Sequence, residues 1–232
     1  MIGICKPFVS ILPFSINRAA IPKGRPTVFA IAVVKEKGLV AVAEEHPTVF
    51  VKFYKGLTVL YDMGLRHSQA APGRDVTLLY GPPGCGKTST FIDNEKEGCV
   101  LSAASGWWFD GSRQEEAVLL DDFDGKASKW TLCQTLQTFD RYQIRVPIKG
   151  SFTWWCPKRI YITTNLHPRK WFEWADREEQ WGALTRRFNK IITWDRAGLR
   201  RELNPLRDRE AWGRFWDLPT AFMPGADTYN YF

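Results

Sequence analysis

From Val76 onward the chain alternates short apolar or β-branched runs with stretches of helical spacing. Val76 to Tyr80, Cys99 to Ser102, Ala117 to Leu120 and Arg159 to Thr163 each read as a strand, rich in residues that suit a pleated, buried surface. Lys87 to Ile92 opens a helix, and Ser128 is placed to cap another whose Leu132, Leu136 and Phe139 share a face. Ile144 to Ile148 and Ser151 to Trp155 flank Lys149-Gly150, which predicts a β-hairpin. Helical patterns are expected to dominate from Trp171 to Trp216, followed by a tail carrying Pro219 and Pro224. Strands alternating with helices imply an α/β fold: a parallel sheet with helices on both faces.

The pattern before Asp75 is different. Residues 1–25 have no period and are punctuated by Pro7, Pro13 and Pro22, the expectation being a poorly ordered arm. Thr27 to Val34 fits a strand or a short buried helix equally well. Phe50, Tyr54, Leu57 and Tyr61 recur on one face of a helix expected to end near Gly64, a face that must pack on the following domain or on another subunit. Ser68 to Arg74 reads as a linker. The expected organisation is therefore an arm (1–25), a small helical and linker segment with a role in oligomerisation (26–70), the main domain (71–195) and a helical extension with a tail (196–232).

Composition narrows the class. The 232 residues are 44% hydrophobic and 25% charged, with 11 Trp, enough apolar material for a packed core. Charge is uneven: +5 over residues 1–70, −2 over 71–150 and +4 over 151–232, for a net +7. A basic balance of this size favours polyanions as partners, nucleic acid first. Five scattered cysteines without a C-x-x-C pair, and only His46, His67 and His167, indicate neither a disulfide framework nor a zinc site. The longest wholly apolar run, Val28 to Val34, is far short of the roughly 20 residues of a membrane span, so no membrane partner is expected. Pro7, Pro13 and Lys6 break any reading of the first residues as a secretion signal.

Gly81-Pro82-Pro83-Gly84-Cys85-Gly86-Lys87-Thr88 matches G-x-x-x-x-G-K-[ST] between a strand and a helix. Its glycines let backbone N–H groups wrap a phosphate chain, and the helix N-terminus adds a positive dipole end. Lys87 is expected to reach the β- and γ-phosphates of ATP and Thr88 to ligate Mg²⁺, with Ser89 completing the cofactor-binding run. Val118 to Asp122 then delivers two acids from an apolar strand: Asp121 as the metal-side carboxylate and Asp122 as the general base. Asp110 and Asp124 are read as ordinary loop acids.

These two motifs, with Ile160 to Asn165 and Ala183 to Phe188, resemble a superfamily 3 helicase. More narrowly they resemble the helicase portion of the replication-associated protein of circoviruses and related circular single-stranded DNA viruses. Glu45-His46-Pro47, Phe53 to Leu57 and Trp181 to Leu184 also have the look of that group. The resemblance covers about residues 26 to 195 and implies an AAA+-like P-loop NTPase. It implies that Asn165 senses the γ-phosphate and that Arg186 or Arg187 is an arginine finger offered to the neighbour in a homo-oligomeric, commonly hexameric, ring. It also implies that Lys149 on the hairpin grips single-stranded DNA, or RNA, and that the protein works in the host nucleus.

The same family's nicking domain uses a histidine motif and a Tyr-x-x-Lys. No Tyr-x-x-Lys stands upstream of the P-loop and His46 stands alone, so nicking activity is expected to be absent. Two other readings share these motifs: a nucleotide or small-molecule kinase, and a non-catalytic nucleic-acid-binding remnant that still holds ATP.

Overall fold

The structure is a computed structural model that describes residues 26–65, 73–113 and 115–217. The arm, the tail and most of the linker expected from the sequence lie outside the described residues. Contacts divide the chain into two units, Met1–Arg66 and His67–Phe232.

The first unit holds three helices: α1 (Pro26–Lys37), α2 (Leu39–Glu45) and α3 (Pro47–Leu65). Of the two readings open for Thr27 to Val34, the helical one is adopted, with Ala30 and Val34 fully buried against Val42 and Leu57. The helix expected after Pro47 is present, yet its face is not continuous. Phe53 leaves helical geometry (φ −121°, ψ 19°), which kinks α3 and turns Tyr54 outward to 51% exposure, while Phe50, Leu57 and Tyr61 stay on the core side.

The second unit is built on a six-stranded sheet. Its strands are β1 (Asp75–Tyr80), β2 (Cys99–Ser102), β3 (Ala117–Asp121), β6 (Arg159–Thr164), β7 (Lys190–Trp194) and β8 (Arg200–Leu203), ordered β2-β3-β6-β1-β7-β8. Every pairing is parallel except β7 with β8. β4 (Ile144–Ile148) and β5 (Ser151–Trp155) form a separate antiparallel hairpin with the register expected from Lys149-Gly150. The helices are α4 (Lys87–Asn94), α5 (Leu132–Phe139), α6 (Glu178–Thr185) and α7 (Arg209–Asp217). The α/β class and the parallel sheet are as the sequence implies.

Side-chain alternation sorts the core onto the two sheet faces. Leu79, Leu119 and Ile192 pack with Phe91 of α4 on one face. Val76, Leu78, Val118, Leu120, Ile160, Ile162 and Ile191 face the other, under an aromatic layer of Phe109, Phe123, Trp130, Phe139, Trp155, Trp171, Phe188 and Trp216. These rings meet edge to face, Phe123 with Trp171 and Phe109 with Trp155 at 4.7 Å, which accounts for much of the unusual tryptophan content. Gly125 is required there: its φ is +58°, and a Cβ would lie 2.5 Å from the Trp171 carbonyl oxygen.

Two expectations are corrected. Ser128 does not cap α5. Thr131 does, in a reciprocal capping box with Gln134, and buried Ser128 instead accepts from the Asp124 N–H at 2.9 Å. The stretch from Trp171 to Trp216 is not mainly helical, because β7 and β8 lie within it and extend the sheet beside β1. Ile191-Ile192-Thr193 is the β-branched signal for β7, embedded among residues whose spacing reads as helix.

Candidate nucleotide site

β1, β3 and β6 are neighbours in the sheet and parallel, so their C-terminal ends open on one edge, where α/β proteins place ligands. The P-loop leaves the end of β1, the acid pair ends β3, and Asn165 follows β6. Gly84 (φ +77°) and Gly86 (φ +92°) give the loop left-handed turns that residues with a Cβ resist, and Lys87 then begins α4. The Gly81 N–H donates to Thr164 O at 3.3 Å, tying the loop to β6.

The predicted residues of these three segments come together. Lys87 Nζ donates to Gly81 O (2.9 Å), Pro82 O (2.8 Å) and Asn165 Oδ1 (2.8 Å), and lies 3.9 Å from Cys85 Sγ. Burial lowers the Lys87 pKa from its ordinary value, while Cys85, Asp122 and Asp121 oppose that shift. Thr88 Oγ1 donates to Asp121 Oδ1 at 2.9 Å. Pro83 on the loop and Ser89 in the first turn of α4 are exposed, Ser89 Oγ donating to Gly86 O at 3.0 Å.

Thr163 is a participant that motif reading missed. Its hydroxyl donates to Asp121 Oδ1 (2.7 Å) and accepts from the Asp122 N–H (2.8 Å), so one buried side chain fixes both acids. Asp122 sits at φ +53°, a left-handed conformation that aspartate tolerates, with its carbonyl accepting from Ser128 Oγ at 3.3 Å. Its backbone is thus pinned on both sides while its side chain is exposed. Asp124 lies in the loop after β3 as expected and is half-buried: burial pushes its carboxyl up from the ordinary range, the Thr164 hydrogen bond opposes that, and the Asp122 charge adds to it. Asp110 accepts from the Lys149 N–H at 2.7 Å.

Thr88 and Asp121 offer hard oxygen donors 2.9 Å apart. Among the described residues no cluster of three His, Cys, Asp or Glu side chains could hold a metal unaided. That donor set fits Mg²⁺, which binds through one or two protein oxygens together with phosphates and water.

The remaining predicted residues lie elsewhere. Arg186 and Arg187 follow α6 and differ sharply. Arg187 Nη2 donates to Asp140 Oδ2 at 2.5 Å and Nη1 to Ala183 O, with 15% of the side chain exposed; Arg186 is exposed and free of side-chain hydrogen bonds among the described residues. Lys149 is exposed at the hairpin tip, where Gly150 (φ +80°) completes the turn. No described helix is long and apolar enough to cross a membrane.

A strand, a glycine loop closing on a helix, and an acid pair on the adjoining sheet edge define a P-loop NTPase fold. In agreement with this, the RNA helicase family model matches residues 77–166. The chain is similar to the replication-associated proteins of circoviruses, which bears out the resemblance carried by its motifs. Identity is 36% over 177 residues with that of Canary circovirus (75% of this chain, 57% of the relative). It is 37% over 161 residues with that of Beak and feather disease virus (69% and 52%), and 33% over 172 residues with that of Porcine circovirus 2 (72% and 53%). The chain spans about half the length of the curated relatives it matches.

Proposed function

We propose that this chain is an ATP-driven helicase module of the viral replication-associated type, acting on single-stranded nucleic acid during replication of a circular single-stranded DNA genome. The observation that carries the reading is the double tie across the sheet edge, Lys87 to Asn165 and Thr88 to Asp121. Four groups contributed by three separate segments meet there with the chemistry that phosphoryl transfer requires.

In this mechanism the Gly81 to Ser89 backbone cradles the phosphates of ATP, and Lys87 exchanges its loop carbonyls for the β- and γ-phosphate oxygens. Thr88 and Asp121 would hold Mg²⁺, which when bound would supply charge neutralisation on the phosphate chain. Asp122, exposed and backbone-pinned, accepts a proton from the attacking water. Asn165 orients that water with its carbonyl oxygen and donates from its amide to the γ-phosphate. Arg186 is the finger offered to the adjacent subunit of a homo-oligomeric ring, because Arg187 is already spent on Asp140. Lys149 at the hairpin tip grips a backbone phosphate of the strand. A virus with such a replicase module would use it in the host nucleus.

The test is the rate of ATP hydrolysis with and without a single-stranded oligonucleotide. Stimulation by the oligonucleotide, lost in Lys87→Ala with the fold intact, is the expected result. Turnover indifferent to polynucleotide but dependent on a small acceptor would replace the helicase reading with that of a kinase.

A further inference from the structure

The β4–β5 hairpin has two chemically distinct faces. The register pairs Ile144 with Trp155, Val146 with Thr153 and Ile148 with Ser151, and of these Val146, Thr153 and Trp155 are buried. The opposite face carries Arg145 paired with Trp154 and Pro147 paired with Phe152. Phe152 is 50% exposed, and the Arg145 guanidinium lies 4.9 Å from its ring centroid. A second exposed pair precedes the strand: the Arg141 guanidinium lies 5.1 Å from the Tyr142 ring, which is 53% exposed. Residues 141–155 contain three basic side chains and no acidic one.

The Phe152 ring, exposed on a hairpin that buries its other face and set in a basic segment, offers a flat apolar surface to a partner. Arginine held beside such a ring pre-forms one side of a stack and supplies positive charge at the same point. A polyanion with flat π-faces fits both features, and single-stranded nucleic acid is the polymer that carries them together. An acidic peptide would match the charge and leave the rings uncovered.

We propose that Arg145–Phe152 forms a base-stacking platform on this hairpin, so that the strand is held through its bases as well as through the phosphate at Lys149. The proposal rests on the nucleic-acid reading above and deepens it. Stacking is indifferent to base identity, so the platform serves translocation along any sequence, whereas phosphate contact alone would grip an abasic backbone equally well.

The test compares equilibrium binding of the full chain to a fluorescently labelled oligothymidylate and to an abasic oligonucleotide of equal length and charge, at fixed salt. Wild type is expected to bind the base-bearing strand roughly 10- to 100-fold more tightly, the range for one stacked base. Phe152→Ala should bring the two affinities together, and Phe152→Trp should keep the preference, with thermal unfolding recorded for each variant. Phe152→Leu keeps apolar bulk without a π-face and should behave as Phe152→Ala. Lys149→Ala should instead weaken both strands alike and reduce the salt dependence by about one released ion. Equal affinity of wild type for both strands would overturn the stacking platform and leave the phosphate-gripping reading standing. A preference that survives Phe152→Ala would overturn its location. Binding of neither strand would overturn the nucleic-acid reading itself.

Discussion

Lys87 Nζ and Asn165 Oδ1 lie 2.8 Å apart, joining residues 78 positions apart in the chain. This contact places the Lys87 ammonium and the amide after β6 on a single locus, so under the proposed function the two should act as a unit on one phosphoryl group. Asn165→Ala is expected to lower kcat by about 10²- to 10³-fold, the cost of one lost transition-state donor, with little change in ATP affinity. Combining it with Lys87→Ala should cost far less than the product of the single losses. Steady-state ATPase assays on the three variants check this, and multiplicative losses would show that the two groups act separately.

Thr163 holds Asp121 by its hydroxyl hydrogen and the Asp122 N–H by its lone pair. Thr163→Val preserves shape and removes both bonds, leaving a part-buried N–H without its acceptor at a cost of about 1 kcal/mol. Both acids lose their anchor, so the Mg²⁺ concentration for half-maximal ATPase activity should rise, while Thr163→Ser should restore it. A Mg²⁺ dependence unchanged in Thr163→Val, with stability reduced, would confine Thr163 to a structural role.

How much of this was legible in the sequence depends on the range of the interaction. The P-loop, the acid pair and the hairpin are local patterns, and their strands fall within a residue or so of expectation. Thr163 was not legible, since its role comes from strands β3 and β6 being neighbours, which spacing alone does not encode. The cap of α5 was available as Thr131-x-x-Gln134 and was obscured by Ser128, whose hydroxyl serves the turn below. β7 was hidden because aromatic and apolar residues dense enough to pack the second face also satisfy a helical period. The kink at Phe53 has no sequence signal of its own; it is a tertiary adjustment that keeps Phe50 and Leu57 on the core side.

Arg186 and Arg187 are adjacent and chemically identical, and only their surroundings separate them. Arg187→Ala strips a half-buried Asp140 of its guanidinium; discounted for the 30% exposure of that carboxylate, the loss should be about 2 kcal/mol. Arg186→Ala touches no side-chain partner among the described residues and should leave the unfolding free energy within about 0.5 kcal/mol of wild type. Its effect belongs to catalysis, a fall of about 10³-fold in turnover if it completes a neighbour's site. Mixing Arg186→Ala subunits into wild type should depress activity by more than their proportion. Proportional loss would mean that no site is shared, and catalytic loss in Arg187→Ala with unchanged stability would reverse the assignment.

His167, two residues beyond Asn165, is fully enclosed, and it fastens α7 to this part of the sheet edge. Its Nδ1 accepts from the Arg169 N–H at 3.2 Å and its Nε2 donates to Phe215 O at 2.8 Å, a pattern that requires the neutral ring. Burial, chiefly, pushes its pKa down to about 4, with Arg169 and Lys170 adding to the shift and the Phe215 hydrogen bond opposing it. The unfolded chain takes up this proton near pH 6.5, while the folded chain resists it until about pH 4. The contribution of His167 is therefore complete above pH 6.5 and is lost as pH falls from there toward 4. At 1.36 kcal/mol per pH unit, about 2 kcal/mol should disappear between pH 7 and pH 5, before most carboxylates titrate. Urea midpoints measured across that interval should decline in wild type and flatten in His167→Gln, whose amide keeps a donor and an acceptor without a titrating ring. An equal decline in both proteins would place the acid sensitivity elsewhere.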